Sequence, residues 1–171
     1  MFIRKCIIAA AMAATVVATP AAAATNAKTA NGRALLLLPL KLTKIDDLDF
    51  GMVISGNSYG TVSLDAGTGA RSYLGGVSGP STAGQPAYFG GAGSAGQLVV
   101  VTVTPPASLS DGNGHSVSVL AMSLDNLNNP LRTVDPVNKT FFVGVGGILG
   151  INANQVPGTY SATFQVTANY L

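Results

Sequence analysis

From Arg33 onward, short apolar runs alternate with Gly, Asn, Pro and Ser at spacings of roughly ten residues, the pattern of a β-sandwich or barrel. The runs predict strands over Arg33 to Thr43, Leu48 to Ile54, Gly60 to Asp65, Ala70 to Val77, Ala87 to Gly90 and Leu98 to Thr104. Further strands are predicted over Ser116 to Leu124, Thr140 to Ile151 and Thr159 to Leu171. Two of these alternate strictly. Phe141, Val143, Val145, Leu149 and Ile151 share one parity, opposite Gly144, Gly146 and Gly150. Tyr160, Ala162, Phe164, Val166, Ala168 and Tyr170 share one face, opposite Ser161, Thr163, Gln165, Thr167 and Asn169. Successive strand side chains point to opposite faces, so each is a half-buried strand. The second runs to the chain end, where chains normally fray.

Turn chemistry supports the partition. Ser110-Asp111-Gly112-Asn113-Gly114 supplies the positive φ that a tight hairpin needs, and Asn128-Asn129-Pro130 marks a second irregular stretch. No window of the mature chain sustains a helical period over three turns. Composition agrees. The seven acidic residues are all Asp, and the missing Glu is a strong helix former.

The first 24 residues are set apart. Met1-Phe2-Ile3-Arg4-Lys5 is a basic start, Cys6 to Ala18 an apolar run, and Thr19 to Ala24 a small-residue stretch that suits cleavage after Ala24, so 1–24 reads as an export signal. Its removal takes away Arg4, Lys5 and the single cysteine. Nine basic residues become seven, against seven aspartates, and the mature net charge is zero. A basic nucleic-acid surface and a disulfide scaffold are thereby excluded. Near-zero net charge also favours association with neighbours.

Apparent catalytic signals have simpler readings. Gly91-Ala92-Gly93-Ser94-Ala95-Gly96 fits G-x-G-x-x-G, but a β-branched run, Leu98 to Val103, follows where a helix is required. Ser110, Asp111 and His115 fall within one hairpin tip rather than converging as a triad. Asp46, Asp47 and Asp49 lack the final Glu of a calcium loop and read as a solvated turn beside Lys41 and Lys44. Close backbone approach or a bulge explains Gly146-Gly147-Ile148-Leu149-Gly150. No catalytic residue, cofactor or metal ligand is expected.

Gly158 is the fourteenth residue from the C-terminus and Tyr170 the penultimate one, with alternating apolar residues between. This resembles the C-terminal signature of chaperone–usher pilus (fimbrial) subunits. The stretch Leu42 to Gly51 and the ending Gly158-Thr159-Tyr160 are also similar to an uncharacterised family of secreted Gram-negative β domains, grouped with common-pilus-type fimbrillins.

The resemblance implies an immunoglobulin-like antiparallel β-sandwich with one edge strand missing. An apolar groove would be bordered by Gly158, Tyr160, Ala162, Phe164, Val166, Ala168 and Tyr170. It implies a periplasmic chaperone that fills the groove first, an outer-membrane usher, and then the N-terminal extension of a neighbouring copy or related subunit, a form of β-strand addition. Export to the periplasm and then the cell surface would follow. On this reading 25–36 is the extension, with Ala27, Thr29, Ala34 and Leu36 as candidate donor positions, and 37–171 is the sandwich.

Two departures stand out: the mature chain has no cysteine, and Thr25 to Arg33 is poorly apolar. Ala34 to Leu42 is the apolar alternative, as donor or as first core strand. Pro39 cannot donate to a ladder and fits an edge or a bulge. The competing function is a stand-alone secreted β-sandwich that binds a partner such as a surface polysaccharide.

Overall fold

The computed structural model describes residues 28–81 and 84–171. Ten strands appear in chain order: β1 (Lys41–Asp46), β2 (Ile54–Leu64), β3 (Arg71–Ser78), β4 (Ala87–Ala92), β5 (Leu98–Thr104), β6 (Ser108–Ser110), β7 (Ser116–Leu124), β8 (Leu131–Thr133), β9 (Thr140–Ile151) and β10 (Gln165–Tyr170). All the pairings are antiparallel, and they make two sheets, an all-β sandwich.

The strand with the strictest apolar alternation organises the larger sheet. β9 turns Phe141, Val143, Val145, Leu149 and Ile151 into the core and leaves Phe142 and Ile148 outside. Val145 faces both Ala87 of β4 and Leu124 of β7, so those strands flank opposite edges of β9. Gly147 likewise faces Leu64 of β2 and Met122 of β7. β4 and β2 therefore lie end to end along one edge, with β1 beyond β4 and β3 beyond β2. The glycines on the outer face of β9 are there for approach. A Cβ on Gly144 would sit 2.2 Å from the Ala66 carbonyl oxygen, and one on Gly146 2.2 Å from that of Leu64. The partner strand β7 carries a register shift between Val119 and Ala121, opposite Leu149 and Ile148.

The smaller sheet has the order β10-β5-β8. Its Val99 and Val101 meet Phe141, Val143 and Val145 to form the first core, sealed between two layers. A second core joins Val62, Val77, Val117, Leu149 and Ile151. The side chains over it, Phe50, Val53 and Tyr160, come from outside the strands of the smaller sheet. The second core is thus covered by connecting segments and not by strands of the smaller sheet.

Several boundaries differ from the sequence reading. The first strand begins at Lys41 rather than Arg33. Leu38 to Leu40 already belong to the folded body, where Leu40 packs against the first core just before the edge strand that starts at Lys41. Leu48 to Val53 is a connection with a single bridge, Asp49 to Gln85, because Gly51 takes a positive φ of 67° that breaks the extended run, and only Ile54 of the predicted strand is extended, as the start of β2. Gly60 to Asp65 is the second half of a longer β2, and the last strand starts at Gln165, six residues after Thr159. The stretch before Pro130 contains a left-handed turn, with Asn126, Leu127 and Asn128 all at positive φ.

The export signal and Ala27 lie outside the described residues. Leu36–Leu171 forms one compact unit, and Lys28–Leu35 is exposed and carries no strand. No described helix is long and apolar enough to cross a membrane.

Candidate functional site: a furrow where the second layer ends

The alternation seen in the C-terminal sequence is kept in part, since only Gln165–Tyr170 forms a strand and Ala162 is exposed. Tyr160 packs on the second core, and Phe164, Val166, Ala168 and Tyr170 pack on the first. β10 pairs with β5 from Gln165↔Thr104 to Tyr170↔Val99, and its other edge meets no described strand. Upstream, Ser161 exchanges two backbone hydrogen bonds with Ser110 of β6, at 2.9 and 3.0 Å. Between these anchors the segment Ala162–Phe164 is free of described strand pairing.

A furrow of about 630 Å³ opens beside this segment. Its floor is the second core seen from above: Val117, Val119 and Met122 of β7, with Leu149 and Ile151 of β9. One wall is Val156 to Ala162 with Phe164; the other is Leu48 to Gly51 with Val53 to Ser55. The lining is mostly aliphatic and aromatic, with Asp49, Gln155 and a few hydroxyl groups at the margins. Ile54 and Val156 at the rim stand 53% and 42% exposed, so the slot is apolar and open to solvent.

Each wall is braced by polar contacts. The Arg71 guanidinium donates to the carbonyls of Phe50 (2.6 Å), Met52 (3.0 Å) and Pro80 (2.8 Å), fixing the Leu48–Val53 connection. Opposite, Tyr160 Oη donates to the Val156 carbonyl at 2.6 Å, and Gln155 Nε2 lies 2.9 Å from the same hydroxyl. Ser55 Oγ reaches the Gln155 carbonyl at 3.3 Å and links the two walls at the far end.

The residues singled out from sequence divide accordingly. Gly158, Tyr160, Ala162 and Phe164 line the furrow. Val166, Ala168 and Tyr170 continue the same face under the smaller sheet. Tyr170 Oη leaves the furrow altogether: it donates to the Leu38 carbonyl at 2.8 Å and accepts the Ser94 amide at 2.6 Å. Thr29, Ala34 and Leu36 are exposed and outside any strand. The Leu48–Ile54 wall escaped the sequence reading, although Asp-x-Gly at Asp49 to Gly51 was its local sign. Asp49 Oδ1 accepts the Gly51 amide at 2.7 Å, an Asx turn that ends extended structure. The reach of Arg71 across to that turn leaves no local sequence signal.

The polar clusters have structural partners. Asp111 Oδ1 accepts the amides of Asn113 (2.8 Å) and His115 (3.0 Å), and its Oδ2 lies 2.6 Å from His115 Nδ1. That His115 contact, with the amides behind it, holds the Asp111 carboxyl below its ordinary value. Ser110 Oγ accepts the Gly112 amide, so this hydroxyl belongs to the turn. Asp47 pairs with Lys44 at 2.6 Å. Among the described residues no three acidic, histidine or cysteine side chains group as metal ligands.

The family described as Domain of unknown function (DUF4402) matches residues 40–170, which include both walls and the floor of the furrow. No curated protein and no solved structure matches the chain.

Proposed function

The chain belongs to the DUF4402 family, and from that premise we propose that it is a non-catalytic structural subunit of a bacterial surface fibre, assembled by β-strand donation. The observation that supports this most is the furrow. An apolar furrow with Ile54 and Val156 exposed at its rim lies beside the C-terminal segment Ala162–Phe164, which no described strand pairs with. An exposed apolar slot next to free backbone hydrogen-bonding groups is a liability that a partner strand removes. A strand laid between Ala162–Phe164 and the Leu48–Ile54 wall would pair with main chain and send every second side chain to the floor. The fold is read as immunoglobulin-like with one edge strand supplied from outside.

On this reading the donor comes from residues 25–36 of a neighbouring copy or related subunit. The exposed residues Ala34 and Leu36 supply its apolar positions. A periplasmic chaperone would occupy the furrow before assembly at an outer-membrane usher, which requires export and then display at the cell surface. Deleting residues 25–36 tests the proposal. The shortened chain should be captured by the chaperone yet fail to polymerise, because its furrow is intact and its donor absent. Fibres of normal length from that deletion overturn it. A purified mature chain that stays a stable monomer with an empty furrow favours the stand-alone binding module instead.

A further inference from the structure

The penultimate residue does something that a groove strand alone does not require. Tyr170 Oη, Ser94 and Leu38 form a closed set of three hydrogen bonds. The phenol donates to the Leu38 carbonyl (2.8 Å) and accepts from the Ser94 amide (2.6 Å), and the Leu38 amide donates to Ser94 Oγ (2.7 Å). Both main-chain groups of Leu38 are therefore held. Leu36, two residues earlier, is 88% exposed.

We propose that Tyr170 and Ser94 form a clasp that fixes where the N-terminal extension leaves the body, and that this placement keeps the leucines out of the chain's own furrow. The inference rests on the strand-donation reading and adds a positioning role to it. Its basis is reach. Ser94 precedes β5, whose Val99 pairs with Tyr170, so the clasp sits at the Tyr170 end of β10. The furrow begins at the other end, at Phe164. Six residues of extended strand separate Phe164 from Tyr170, roughly 20 Å. From a fixed Leu38, Leu36 reaches at most about 7 Å. The first residue able to span the gap is Gly32, so Leu35 and Leu36 fall short of the chain's own furrow. With the clasp closed, the leucines can serve only another chain.

Two variants of the full mature chain test this. Tyr170→Phe removes one hydroxyl and keeps the ring. Amide exchange at Leu38 should then accelerate at least about tenfold while the melting temperature changes little, and Ser94→Ala should act in the same direction. Unchanged exchange at Leu38 in both variants overturns the clasp.

A ten-residue Gly/Ser insertion between Leu37 and Leu38 spans about 18 Å on average, near the gap. It should let the leucines fold back and convert an associating chain into a closed monomer with a protected furrow. A native-length chain that is already a closed monomer, its Ala162–Phe164 amides protected at every dilution, overturns the reach argument. Furrow amides that stay unprotected in every chain, assembled or not, defeat the strand-donation reading, and the reach argument with it. Leu38 exchange in the isolated chain still reports the clasp separately.

Discussion

The rings of Phe89 and Phe164 meet edge to face, with centroids 6.2 Å apart and planes at 75°. Phe89 belongs to β4 of the large sheet and Phe164 to the segment that enters the small one, so this contact closes the sealed half of the sandwich where the open half begins. Such pairs contribute about 0.5–1.5 kcal/mol beyond the area they bury. Phe164→Ala should cost about 2 kcal/mol, below the range of a fully buried phenylalanine because Phe164 is only partly covered. Denaturant unfolding of the isolated chain measures it, and a loss under about 0.5 kcal/mol would show that the ring does not close the layers.

The two halves of the molecule should respond differently to truncation. Val143 is fully buried between the sheets, and Val143→Ala should destabilise the isolated chain by about 2 kcal/mol through lost transfer energy and a cavity. Ile54 at the furrow rim is half exposed, and Ile54→Ala should change that stability by less than about 0.5 kcal/mol. It should weaken assembly instead. Equal effects of the two substitutions on monomer unfolding would mean that the rim is part of the closed core.

Gly146 carries a sharper prediction. An alanine Cβ there would lie 2.2 Å from the Leu64 carbonyl oxygen and 2.7 Å from the Ala66 amide nitrogen, backbone atoms with no side-chain freedom to yield. Gly146→Ala should cost about 3 kcal/mol, at the upper end for overpacking. Gly96→Ala meets nothing within 4 Å and carries only the strain of a φ of 71°, which should cost about 1 kcal/mol. The two melting temperatures compared side by side give the answer.

Acid sensitivity follows from two aspartates. Hydrogen bonds from the Thr68 hydroxyl, then the Thr68 and Gly67 amides, lower the Asp65 carboxyl, and the His115 contact does most to lower that of Asp111. Both groups bind protons more weakly when folded than when unfolded. Their contribution is complete above the ordinary aspartate value of about 3.9 and is lost as pH falls through the lower folded values. Stability should therefore drop on acidification below about pH 4, and Asp65→Asn or Asp111→Asn should flatten that drop. Melting temperatures from pH 6 to pH 2 provide the check.

The legible part of the fold is the part governed by local alternation. β9 matches its predicted span, Thr140 to Ile151, because every inward position but Gly147 is a large apolar residue. The Asp111-Gly112-Asn113-Gly114 turn sits between β6 and β7, with Gly112 and Gly114 at positive φ. Leu48 to Ile54 misled because its composition suits a strand, whereas its conformation is set by the Gly51 turn and by Arg71 twenty residues downstream. The face of the C-terminal strand was readable from parity. The use of the Tyr170 hydroxyl was not, since Leu38 lies 132 residues away in sequence. The floor of the furrow was readable only as core, because nothing in sequence distinguishes a core residue that lines an opening from one that does not.

Hydrogen exchange along Ala162–Phe164 and Leu48–Ile54 tests the central claim most directly, measured on the isolated mature chain and again on the assembled material. Strand donation predicts amides in Ala162–Phe164 that exchange freely in the isolated chain and at least about a hundredfold more slowly after assembly, with matching protection of the donor segment 25–36. Identical exchange in the two states, from a chain that stays monomeric, would contradict it.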